Sequence, residues 1–218
     1  TKFGINMELI PDVKKILKEY NLTLVGINQH IGSLFMDYEP FIAGMSSILS
    51  VAKQFDNLEF IDLGGGFGIP YRKQEGEPSL DLGKLGDILT DTLYNWTSEY
   101  GKKIEFKIEP GRYIVAECGV LLGTVHAIKK NGETTYVGTD LGFNVLARPM
   151  LYDSHHDIEI YRKDLTPNFS KLKKATIVGN ICESGDIIAK ERLLPEIDEG
   201  DILGVMDAGA YGYSMASN

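Results

Sequence analysis

Cysteine is scarce in this chain: only Cys118 and Cys182 occur, far apart, with no C-x-x-C pair and no interleaved Cys/His run. A disulfide scaffold and a structural zinc site are therefore disfavoured, and no metal is expected. Apolar runs long enough to span a bilayer are also missing, and the start of the chain lacks the charged and apolar regions of a secretory signal. The expectation is a cytoplasmic chain without a membrane partner. Positive charge is in deficit, with 22 Lys and Arg against 31 Asp and Glu and a net charge of −9. Only the short patches Lys129-Lys130-Asn131-Gly132-Glu133 and Lys171-Leu172-Lys173-Lys174 concentrate it, which argues against nucleic acid. There is no G-x-x-x-x-G-K-[ST] loop, internal repeat or low-complexity linker. A dinucleotide fingerprint fails too: counted from Gly64, its last glycine is Ile69, and counted from Gly66 it is Tyr71.

With 218 residues, 43% of them hydrophobic, the chain can bury a core. Helical spacing of apolar residues predicts helices over Pro11–Tyr20, about Tyr38–Phe55 and about Leu82–Tyr100. Short apolar runs at Lys2–Ile5, Leu24–Ile27, Leu58–Ile61 and Ile104–Ile108 read as strands. Alternation of this kind is the signature of right-handed βα units around a parallel sheet. The unusual residues follow the last three of these runs, at the edge where parallel α/β folds bind ligands. Beyond about Tyr113 the pattern shifts to short β-rich runs at Val120–His126, Thr134–Val137, Thr176–Val178 and Ile202–Met206, with an Asn131-Gly132 turn signal. The division expected is 1–114 for the α/β part and 115–218 for a mostly antiparallel β domain.

Five motifs carry candidate chemistry. Three consecutive glycines, Gly64, Gly65 and Gly66, at a strand end suggest positive φ or close approach by a bulky anion such as phosphate. His30 precedes Gly32 and Ser33, whose hydroxyl and N–H could both donate to an anion. Glu109 and Arg112 flank the Pro110-Gly111 turn; a carboxylate there could keep a heteroaromatic nitrogen protonated while a guanidinium reaches an anionic group. Cys182 and Glu183 are adjacent, so only a turn lets both serve one pocket. In Asp207-Ala-Gly-Ala-Tyr211, small residues surround one phenol, as in a backbone passing close to a ligand.

In their order and spacing, "HIGS", "GGGFGIPY", "EPGRYIV", "ARPMLYD", "CESGD" and "DAGAYGYSM" resemble the fold-type III pyridoxal-phosphate decarboxylases, over essentially the whole chain. The "CESGD" wording favours the diaminopimelate branch over the ornithine and arginine branches. The resemblance implies the C-terminal portion of a (β/α)8 barrel followed by a mostly antiparallel β domain, with pyridoxal 5'-phosphate as cofactor. It implies that Gly64, Gly65, Gly66, Ser33 and Tyr211 hold the phosphate, that His30 stacks on the pyridine ring, and that Glu109 keeps its nitrogen protonated. Pro110, Gly111 and Arg112 would complete the cofactor contacts. Arg112, Arg148, Tyr152, Tyr211 and Glu183 would bind the amino-acid substrate, with Cys182 as proton donor, entering with Glu183 the active site of a neighbouring subunit in a homodimer. The reaction implied is decarboxylation of meso-2,6-diaminopimelate to L-lysine. Carboxynorspermidine or another basic amino acid is the alternative substrate, and a non-catalytic binding partner the alternative role.

Departures from the family pattern also shape the expectations. About four barrel strands are counted, Lys2–Ile5 included, and the lysine to which the family attaches its cofactor lies upstream of "KFGI". Lys107 alternates onto the same strand face as Glu109, yet nothing in the family pattern gives it that role. The sequence is thus expected to be a piece of a longer protein, inactive alone. Asn28, where a second histidine is common, and Leu34 bear on substrate detail.

Overall fold

The computed structural model describes residues 2–217. The chain divides into two compact units, Thr1–Gly68 with Ser79–Gly111, and Ile69–Pro78 with Arg112–Asn218. The second unit is therefore discontinuous in sequence, taking in ten residues from within the α/β part.

In the first unit three parallel strands, β1 (Gly26–Asn28), β2 (Phe60–Gly65) and β3 (Glu105–Glu109), form one sheet in that order. Helices α1 (Ile10–Glu19) and α2 (Glu39–Ala52) each begin with proline in the first turn, where its missing N–H costs nothing. Helix α3 (Leu82–Tyr100) is capped by Asp81, whose carboxylate accepts from the Lys84 N–H, and ends at Gly101 with φ of 74°. Phe41, Met45, Ile48 and Leu49 of α2 are buried, and Trp96 of α3 donates its indole N–H to the Leu49 carbonyl at 3.1 Å. That bond satisfies the one polar atom of a buried tryptophan.

The expected strand at Lys2–Ile5 is not formed. Among the described residues no β-strand pairs with this segment, and Phe3 and Ile5 are exposed. An apolar run becomes a strand only beside a neighbour that completes its hydrogen bonds. The expected strand at Leu24–Ile27 also shortens: Gly26 lies under the Phe60 ring, where a Cβ would collide, and register pairing begins only there.

The second unit is built on a six-stranded sheet in the order β6-β9-β4-β5-β7-β8. Its strands are β4 (Leu121–Asn131), β5 (Thr134–Thr139), β6 (Ile158–Tyr161), β7 (Leu172–Val178), β8 (Ile187–Pro195) and β9 (Ile202–Val205). All pairings are antiparallel except β5 with β7. The long strand β4 serves two partners: Leu121–Thr124 pair with β9, and after an irregularity near Val125 the rest pairs with β5. The core comprises Val125, Val137, Ile158, Ile177, Leu194, Leu203 and Val205 with their neighbours. Two short helices, α4 (Gly111–Val115) and α5 (Arg148–Tyr152), carry candidate site residues.

Candidate active site

In the first unit, the candidates gather at the C-terminal edge of the three-stranded sheet. Gly64 and Gly65 lie inside β2 rather than beyond it, and Glu109 is the last residue of β3, paired with Gly65. The reason for the triple glycine is close approach, but by the protein itself. A Cβ on Gly64 would enter the carbonyl oxygen of Gln29, one on Gly65 that of Glu109, and one on Gly66 that of Gly32. Gly64 and Gly66 also have φ of 78° and 98°, which side chains rarely adopt. The glycines thus draw the "HIGS" loop and the end of β3 against the end of β2. Phe35 N–H donates to the Gly66 carbonyl, and Gly68 N–H to the Phe35 carbonyl, both at 3.0 Å. The N–H of Gly64 donates at 2.9 Å to the Asp62 carboxylate. His30, Ser33 and Glu109 are all exposed at this edge.

The second unit arranges its candidates differently. Arg148 is buried on the short helix α5, with 4% of its surface exposed. Its Nη1 donates to His156 Nε2 at 2.7 Å, while His156 Nδ1–H donates to the Met206 carbonyl at 2.7 Å, an arrangement that fixes the neutral tautomer. The Arg148 guanidinium carbon lies 4.7 Å from the centre of the Tyr71 ring. The Tyr71 hydroxyl accepts from Arg112 Nη1 at 2.8 Å, and the Arg112 guanidinium stands 4.8 Å from the Tyr211 ring centre. Burial pulls the Arg148 guanidinium below its usual range, and the Arg112 charge adds to this. Burial likewise takes His156 down to about 4, with the Arg148 charge contributing. Tyr152, on the same helix, is exposed.

Cys182 and Glu183 are exposed in a loop between β7 and β8, so the requirement for a turn is met. Asp186 organises that loop: its carboxylate accepts from Phe143 N–H at 2.7 Å and from Ile181 N–H at 2.8 Å, and its own N–H donates to the Glu183 carbonyl. The small residues before Tyr211 have a similar explanation to the triple glycine. A Cβ on Gly209 would enter the Val115 carbonyl, and Gly209 N–H donates to the Ala116 carbonyl at 3.0 Å. The expected close neighbour, a ligand, is here the chain's own 115–119 segment. Asp207, at φ of 57°, is buried, and Lys73 donates to its Oδ1 at 2.7 Å.

Tyr71, His156, Asp186 and Asp207 received no role from the sequence. The first was visible in "GGGFGIPY" and the second in the doubled His155-His156, but neither spacing reveals a guanidinium partner.

An α/β sheet presenting glycine backbone and a carboxylate at its C-terminal edge, followed by a β domain with a buried arginine, defines a class: a cofactor-binding α/β domain joined to a sheet domain. Family models match both parts. The pyridoxal binding domain of pyridoxal-dependent decarboxylases matches residues 1–116, and the C-terminal sheet domain of the same proteins matches 112–209. This chain belongs to the pyridoxal-dependent decarboxylase family. It is 40% identical to the diaminopimelate decarboxylase of Methanothermobacter thermautotrophicus and 36% identical to that of Aquifex aeolicus, each match covering all of this chain. It covers 51% and 50% of those relatives, so the chain spans about half the length of the curated relatives it matches. A crystal structure of a diaminopimelate decarboxylase superposes with a TM-score of 0.91 at 33% identity, covering all of this chain and 53% of that one. The Helicobacter pylori enzyme complexed with L-lysine gives 0.85 at 33% identity, covering 100% and 52%.

Pyridoxal phosphate is the cofactor of the matched domain. The residues present at the first unit's sheet edge fit its chemistry: glycine backbone and a serine hydroxyl for a phosphate, a carboxylate for a pyridinium N–H, and an exposed imidazole.

Proposed function

We propose that this chain forms part of an enzyme that decarboxylates meso-2,6-diaminopimelate to L-lysine and carbon dioxide. The observation carrying the reading is the pairing of Gly65 with Glu109 at one sheet edge, which brings phosphate-type donors and a pyridinium-type acceptor together. Bound there, pyridoxal phosphate supplies an electron sink for the pair left on the substrate's α-carbon.

The chain's own residues divide the remaining work. Glu109 would keep the ring nitrogen protonated, and His30 would stack on the ring. Since the Gly64 N–H is already engaged by Asp62, the phosphate contact falls mainly to Gly65, Gly66 and Ser33. Pro110 and Gly111 shape the turn after Glu109. Arg112, Tyr211 and the phenol of Tyr152 join Arg148 in holding the substrate, a carboxylate being the natural counter-ion of a buried guanidinium. Glu183 takes the ammonium at the substrate's far end. The Cys182 thiol gives a proton to the α-carbon, acting as a general acid. We further infer a homodimer in which Cys182 and Glu183 serve the partner's site. Their exposure on one loop is consistent with such a use.

The test is carbon dioxide release from meso-diaminopimelate by the protein carrying this chain, loaded with pyridoxal phosphate, beside its Cys182→Ala variant. Turnover is expected in the parent and a loss of about 100-fold or more in the variant, with cofactor absorbance unchanged, as for loss of a general acid. Equal turnover in both would remove Cys182 from the chemistry.

A further inference from the structure

Arg148 is a buried cation whose fixed neighbours are all neutral or positive. The groups that act on it are the His156 ring, the Tyr71 and Tyr211 phenols and the Arg112 guanidinium, and no carboxylate pairs with it among the described residues. A buried charge left this way is costly, and a protein ordinarily offsets it with an acid. An acid stands one residue from His156, yet it is used elsewhere. Asp157 accepts from the Gln74 N–H at 2.8 Å, lies 2.9 Å from His155 Nε2 and 3.6 Å from Arg192 Nη2.

We propose that His156 is a positioning residue that aims the Arg148 guanidinium through a neutral acceptor, so that its whole positive charge stays available to the carboxylate of a bound amino acid. The inference rests on the reading of Arg148 as a carboxylate ligand and adds the device that keeps it one. An aspartate or glutamate at 156 would orient the guanidinium equally well but cancel its charge. An imidazole bonded through Nδ1–H to the Met206 carbonyl presents only a lone pair. The edge-on packing of Tyr71 against His156, with ring centres 5.2 Å apart, holds that plane in place.

The experiment compares binding of L-lysine with that of cadaverine, the same diamine without the carboxylate, by calorimetry on the full chain. The wild type is expected to favour L-lysine by about tenfold or more, a margin of roughly 1.4 kcal/mol. His156→Gln, which keeps a neutral acceptor, should preserve that ratio. His156→Glu should abolish it while leaving cadaverine binding equal or tighter. Should the glutamate variant fail to fold, His156→Leu, of similar bulk and without an acceptor, is expected to lower the ratio. A wild-type ratio near one, a glutamate variant with the wild-type ratio, or a leucine variant that retains it would each overturn the inference. A purely structural role would instead weaken both ligands alike. Failure to decarboxylate meso-diaminopimelate would count against the proposed reaction and leave this ratio unaffected.

Discussion

The two units of this chain fix their candidate residues by opposite means. In the first, the backbone is held tightly and the side chains are open: Gly64, Gly65 and Gly66 press against neighbouring carbonyls, while His30, Ser33 and Glu109 are exposed. In the second, the Arg148 side chain is itself buried and linked to His156 and Tyr71, each below a tenth exposed, while Tyr152, Cys182, Glu183 and Tyr211 stay exposed. A backbone cradle needs only that nothing larger than hydrogen intrudes. A buried charge needs partners of the right polarity, because in a low dielectric each unpaired group is expensive.

That contrast can be broken from either side. The largest effect expected is on pH. His156 is neutral in the folded chain down to about 4, against 6.5 ordinarily, so between those values the unfolded chain takes up a proton that the folded one refuses. Its stabilisation is complete above about pH 6.5 and is lost as pH falls toward 4, by roughly 3 kcal/mol at most. His155, lowered mainly by burial, acts in the same direction. Asp207, raised mainly by burial, opposes it, since the folded chain favours its protonated form. Thermal melts from pH 7 to 4 should show the decline, and His156→Leu should flatten it.

Arg148→Met sharpens the comparison, since it removes the buried cation. Affinity for an amino-acid carboxylate should fall by about 2–3 kcal/mol, while stability to urea stays level or rises. Loss of both would mean that the guanidinium holds the fold rather than the ligand. In the first unit the order reverses. Gly65→Ala forces a Cβ into the Glu109 carbonyl and should cost about 1–3 kcal/mol of stability together with cofactor binding. The smallest effect is the control Gly86→Ala in α3, where a Cβ meets nothing within 4 Å; it should stabilise by about 0.5–1 kcal/mol in the same melts.

The three long helices and the division of strand-rich from helix-rich sequence are legible because period 3.6 and period 2 persist over many residues. Strands β6 and β8 are not. The first is four residues long, and the second is interrupted by Lys190, Glu191 and Arg192, with Glu191 at φ of 49° breaking the alternation. The excursion of Ile69–Pro78 into the second unit has no periodic signal either. It depends on the burial of Ile69 and Tyr71 with Ala116 and Ala210, and on bonds from Gln74 to Asp157 and Ile158 and from Lys73 to Asp207. For the site, motif wording identifies residues whose chemistry is unusual in type, such as Cys182 beside Glu183. It does not identify His156, whose importance lies in what it leaves uncancelled on a neighbour. Glycine clusters misdirect in one respect. They signal close approach faithfully but not what approaches, and at Gly65 and Gly209 it is the chain itself.

The central claim is that the Glu109 carboxylate keeps a proton on the ring nitrogen of a cofactor seated beside Gly65. Nitrogen NMR of ring-labelled pyridoxal phosphate bound to the protein reads that proton directly. The account predicts a protonated nitrogen in the parent and a neutral one in Glu109→Gln; a neutral nitrogen in the parent, or no difference between the two, would contradict it.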